Sequence, residues 1–73
     1  MVDQAEQLLL SLGFSQMRVR IHGKMARIEV LPEDFPRLIE EEVRKKVTDT
    51  LHTLGFTYVS MDLTGYRTGS MNL

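Results

Sequence analysis

The chain is predicted to fold as a small α+β domain in the order α-β-β-α-β, a three-stranded sheet with two helices packed on one face. Three observations predict it. Met17, Val19 and Ile21 alternate with Arg18, Arg20 and His22, and Ala26, Ile28 and Val30 alternate with Arg27 and Glu29 across Gly23-Lys24. That is the period and the turn of a half-buried β-hairpin. In two other stretches apolar residues recur every three or four positions, as one face of a helix requires. Finally, the triplet Leu-Gly-Phe occurs at 12–14 and again at 54–56, 42 residues apart. It closes each helical stretch just before a strand-like one, so the chain reads as a duplicated helix–Gly–Phe–strand unit. Two copies are too few for a solenoid.

The first helix is expected over residues 3 to 12. Asp3 and Glu6 have the spacing of a capping box, and Ala5, Leu8, Leu9 and Leu12 form its apolar stripe. Gly13 then serves as a left-handed C-cap, with Phe14 folding back on the last turn. With Gly23 and Lys24 as the two turn residues of the hairpin, His22 faces Met25, Arg20 faces Arg27, and Arg18 faces Glu29. A second, longer helix opens at Pro32-Glu33-Asp34-Phe35-Pro36, with acids at the positive end of its dipole. Its stripe is Phe35, Leu38, Ile39, Val43, Val47, Leu51 and Leu54, and Pro36 makes its first turn irregular. The third strand points Val59, Met61 and Leu63 inward and Tyr58, Ser60 and Asp62 outward. The preferred order has the first strand in the middle, which brings Asp62 beside Arg20. Residues 64–73 read as a flexible, glycine-punctuated tail.

Seventy-three residues, 42% apolar and 26% charged, make one ordinary globular domain over 1–73, close to the lower size limit for a self-supporting core. A net charge of −1 argues against non-specific nucleic-acid binding, which leans on a broad basic surface. With no cysteine, disulfides, thiolate metal sites and a cysteine nucleophile are excluded within this sequence. No apolar run approaches membrane-spanning length, and the acidic N-terminus is unlike a signal peptide, so the expected location is cytoplasmic. Phosphate-cradling glycine loops and hydrolase motifs are missing, and no activity is expected from this chain alone.

The polar sheet face is the candidate site. Arg20 opposite Arg27 is a destabilising like-charge pair, so an acidic side chain or a bound anion should lie between them. Arg18 opposite Glu29 reads as an ordinary cross-strand ion pair. Guanidinium forks suit phosphate or carboxylate, and His22 at the strand end is placed to assist. Glu29 with Asp62 or Glu6 is a weaker candidate for a divalent metal. Against these stands a bland reading, a solvated face on which Glu29 and Asp62 neutralise the arginines.

The strings Leu12-Gly13-Phe14, Arg18-Val19-Arg20-Ile21-His22-Gly23, Ala26-Arg27-Ile28-Glu29-Val30, Leu54-Gly55-Phe56, Asp62-Leu63-x-Gly65-Tyr66-Arg67 and Gly69-Ser70-Met71-Asn72 run in order along the chain. Together they resemble the C-terminal domain of the LarE-type ATP-dependent sacrificial sulfur transferases, of the PP-loop ATP pyrophosphatase superfamily. The resemblance implies an enzyme that adenylates a carboxylate of a pyridinium mononucleotide and delivers sulfur to it, toward the nickel-pincer nucleotide cofactor. It implies that Arg18 and Arg20 lie near the substrate phosphate, with Arg27 and His22 on the same face. Glu29, and less surely Glu6, would match acidic positions at the active site or metal. It further implies a homo-oligomer, with ATP and Mg on a PP-loop domain whose Ser-Gly-Gly-x-Asp-Ser motif this sequence lacks. The sacrificial cysteine is missing too. The expected function is therefore a non-catalytic, substrate-side and oligomerisation domain that binds a nucleotide-like substrate. The alternatives are a stand-alone anion-binding or regulatory module, or a purely structural assembly domain.

Overall fold

The computed structural model describes residues 2–67. Helix α1 (Val2–Ser11) leads into the hairpin of β1 (Met17–His22) and β2 (Met25–Val30). A 3-10 turn (Pro32–Asp34) and one turn of helix, α2 (Phe35–Leu38), precede α3 (Glu41–Thr53), and β3 (Tyr58–Met61) follows. The α+β class and the element order are those expected. Helices cover one face of the sheet, where Ala5 and Leu9 of α1 and Val47 and Leu51 of α3 meet Val19, Ala26, Ile28 and Val30 in one buried core. Among the described residues no helix is long and apolar enough to cross a membrane.

The hairpin has the expected register, Arg18 with Glu29, Arg20 with Arg27 and His22 with Met25. The strand order differs. The sheet runs β1-β2-β3, with β2 in the middle and β3 parallel to it. A strand–helix–strand crossover lays its second strand parallel to its first, and here α3 carries the chain from the end of β2 back to β2's own side. The outer edge of β1 is occupied instead by α1, whose Glu6 Oε2 accepts the Val19 N–H at 3.0 Å. This also revises the capping box. Helix α1 is already helical at Val2, so Asp3 lies inside the first turn and Glu6 serves the sheet edge.

The duplicated triplets adopt one geometry. Gly13 and Gly55 have φ of 98° and 109°. Phe14 N–H donates to Leu9 O and Phe56 N–H to Leu51 O, while the glycine N–H groups reach Leu10 O and His52 O. These are paired Schellman caps, each burying its phenylalanine. The long second helix is broken, however. Glu40 is extended (φ −55°, ψ 142°), which separates α2 from α3 and leaves Ile39, expected in the stripe, 56% exposed. A tertiary clamp holds α2 just before the break. Arg37 donates to Leu12 O at 2.7 Å and Gly13 O at 3.1 Å, and its guanidinium lies 4.0 Å from the centre of the Phe14 ring.

Two inward positions are also less buried than expected. Ile21 is 40% exposed, because among β1 residues only Val19 is fully covered. Leu63 falls beyond β3, in a turn, and is exposed. The stretch expected as a tail begins with hydrogen-bonded backbone: Thr64 N–H donates to Asp62 Oδ1, and Tyr66 N–H donates to Val30 O at 2.7 Å. The remainder of that expected tail, 68–73, lies outside the described residues.

Candidate functional site: an arginine face on the open side of the sheet

Strand parity sends Arg18, Arg20 and His22 of β1, Met25, Arg27 and Glu29 of β2, and Tyr58 and Ser60 of β3 to the face away from the helices. Asp62 follows β3 on the same parity, its N–H donating to Ile28 O at 2.8 Å. Because β2 is central, Asp62 reaches Arg27 and not Arg20, as a central first strand would have required. Arg27 Nε stands 3.5 Å from Asp62 Oδ2.

Glu29 answers the like-charge pair. Its Oε2 accepts from Arg20 Nε at 3.4 Å and from Arg27 Nη2 at 3.5 Å, and the residue is only 9% exposed. The carboxylate therefore bonds to a diagonal neighbour and to the residue two positions back on its own strand. It does not pair with Arg18 directly opposite. Among the described residues Arg18 has no carboxylate within ion-pair distance. The three strand guanidinia thus stand against Glu29 and Asp62, and Arg67 also lies close enough to act on the Asp62 charge.

The three arginines thus occupy different states. Arg27 is held between Glu29 and Asp62, and its buried Nε makes no hydrogen bond among the described residues. Arg20, with its side chain 48% exposed, is anchored through Nε alone, and among the described residues neither of its Nη atoms has a protein partner. Arg18 and His22 are exposed on the edge strand. The titration of Asp62 is displaced downward. The Thr64 N–H, helped by the charge of Arg27, holds its carboxyl below the usual carboxylate range.

Comparison with known proteins gives this face a context. No family model matches the chain. Over 75 aligned residues it is 49% identical to the pyridinium-3,5-bisthiocarboxylic acid mononucleotide synthase of Lactiplantibacillus plantarum, covering 97% of this chain and 25% of that protein. The chain resembles one quarter of a mononucleotide synthase. It is also 38% identical over 71 residues to the uncharacterized protein slr1717 of Synechocystis, covering 97% of this chain and 26% of the relative. The chain thus spans about a quarter of the length of both relatives it matches.

Two exposed guanidinia, one of them oriented by a buried carboxylate, can grip a phosphate or carboxylate through charge-assisted hydrogen bonds. Glu6 and Glu29 each commit an oxygen to protein donors, Glu6 at the sheet edge and Glu29 beneath the arginines. Among the described residues no three His, Asp or Glu side chains converge as a metal ion would need. Strand alternation alone places Tyr58 outward and the hairpin turn pairs His22 with Met25, but neither joins the two. The parallel register does so, setting Met25 beside Tyr58.

Proposed function

We propose that this chain is the substrate-side and assembly domain of an ATP-dependent, PP-loop-type sulfur transferase acting in nickel-pincer nucleotide cofactor biosynthesis. The observation that carries this reading is the 49% identity to one quarter of a synthase whose name specifies a mononucleotide. A mononucleotide has a phosphate, and the arginine face has the chemistry to hold one. Arg18 and the free Nη atoms of Arg20 grip the phosphate, with His22 next along the strand. Glu29 orients Arg20, and Arg27 completes the charge balance. Adenylation and sulfur delivery take place on a separate domain that carries ATP and magnesium. This chain contributes positioning, which accelerates a reaction by fixing the substrate against the groups that attack it. The assembly is a homo-oligomer working in the cytoplasm.

One observation favours a second reading. Glu29 and Asp62 already neutralise part of the face, as a purely structural charged surface requires. A chimera separates the two. This chain replaces the matching quarter of the Lactiplantibacillus synthase, and thiocarboxylate formation is measured. Activity is expected to survive the exchange and to fall at least tenfold on Arg20→Ala, chiefly through KM. A chimera indifferent to both Arg18→Ala and Arg20→Ala would leave the structural reading standing.

A further inference from the structure

We infer that the row His22–Met25–Tyr58 is the floor on which the planar ring of a nucleotide monophosphate lies while Arg18 and Arg20 hold its phosphate. The inference rests on the phosphate reading above and names the part of the ligand that reading leaves unplaced.

The row is a product of register. His22 stands opposite Met25 in the antiparallel pair, and Met25 stands opposite Tyr58 in the parallel pair. One residue from each strand therefore shares a line across the open face. The two neighbouring lines, Arg18–Glu29 and Arg20–Arg27–Ser60, carry the ion network. This third line carries no carboxylate and no guanidinium. It offers instead a phenol ring, a thioether and an imidazole. Tyr58 is 67% exposed, His22 is exposed and Met25 is half-buried.

Such a composition suits a flat aromatic ligand group, charged or neutral. Aromatic side chains stack on heterocycles through their π faces, and a methionine sulfur makes favourable contacts with ring edges. The spacing suits a phosphate held next door. His22 lies two residues beyond Arg20 on the same face, roughly 7 Å along the strand, and the row spans three strands, roughly 10 Å across. A ribose linking a 5′-phosphate to a ring bridges a gap of that order between the arginine line and this one. The bound molecule then lies diagonally across the sheet, phosphate over β1 and ring over β2 and β3.

The test uses the 73-residue chain and three probes: inorganic phosphate, ribose 5-phosphate and nicotinamide mononucleotide. Binding is followed by NMR at the arginine side chains, the Met25 methyl and the Tyr58 ring. Nicotinamide mononucleotide is expected to bind about tenfold more tightly than ribose 5-phosphate, the increment of one stacked ring, and to move the Met25 methyl upfield. Tyr58→Ala should remove that advantage while leaving ribose 5-phosphate affinity within twofold, and Tyr58→Phe should keep it. Equal affinity for the two ribose compounds, unchanged by Tyr58→Ala, overturns the ring floor and leaves the phosphate site intact. Binding of nicotinamide mononucleotide that ignores Arg18→Ala and Arg20→Ala overturns the phosphate end. No response to any probe overturns both.

Discussion

Glu29 is the residue on which the polar face turns. Removing its charge leaves Arg20 and Arg27 directly opposed, so Glu29→Gln is expected to destabilise the chain by about 1–2 kcal/mol, read from urea unfolding. Arg20→Ala should lose less than about 1 kcal/mol, since Arg20 is half-exposed and Glu29 keeps Arg27 as a partner. The reverse ranking would contradict the network. Asp62 adds a pH dependence whose sign follows from its lowered carboxyl. A carboxylate that ionises more readily folded than unfolded contributes stability above its unfolded pKa, near 4, and loses it as pH falls through the folded value. The wild type should therefore lose stability below about pH 4 more steeply than Asp62→Asn, as parallel unfolding curves between pH 2 and 6 will show.

Among the elements, the short helix α2 is held by its buried Leu38 and by the side chain of Arg37. Arg37 donates to the carbonyls of Leu12 and Gly13 in the turn that caps α1, at the negative end of its dipole, and lies over the ring of Phe14, so it fastens α2 to the end of α1. Arg37→Ala is expected to cost about 1–2 kcal/mol, with faster amide exchange across 32–40. Arg37→Lys should recover less than half of that loss, because an ammonium cannot match the planar fork. The caps at Gly13 and Gly55 are legible from the repeated triplet, since a cap is a contact between residues within five positions of each other. The break between α2 and α3 is not. Periodicity counts residues within one helix, and the contacts that hold α2 come from residues 24 and 25 positions upstream.

At the scale of the molecule, the core is small, and a shallow apolar groove of about 140 Å³ lies beside β3, lined by Ile28, Leu38, Val47, Val59 and Met61 among others. An added methyl at Val59→Ile should fill part of it and raise stability by about 0.5–1 kcal/mol, visible as a few degrees in Tm. Leu51→Ala, which empties a fully buried position, should lose about 2–5 kcal/mol. A chain this short has little more than that to lose.

The period-two alternation and the Gly-Lys turn determined the hairpin, its register and the separation of a charged face from an apolar one. Likewise, the Leu-Gly-Phe triplets determined where both helices end. These are local matters, decided by side chains on neighbouring residues and by the conformations a glycine allows. The arginine face is therefore legible in the amino-acid sequence itself. Which strand lies at its centre is not, because strand order depends on where α3 packs, and that is settled by burial against the whole sheet. Only this packing put β3 beside β2, bringing Asp62 to Arg27 and Tyr58 to Met25. It turned a set of outward-pointing residues into an ion network with an aromatic row beside it.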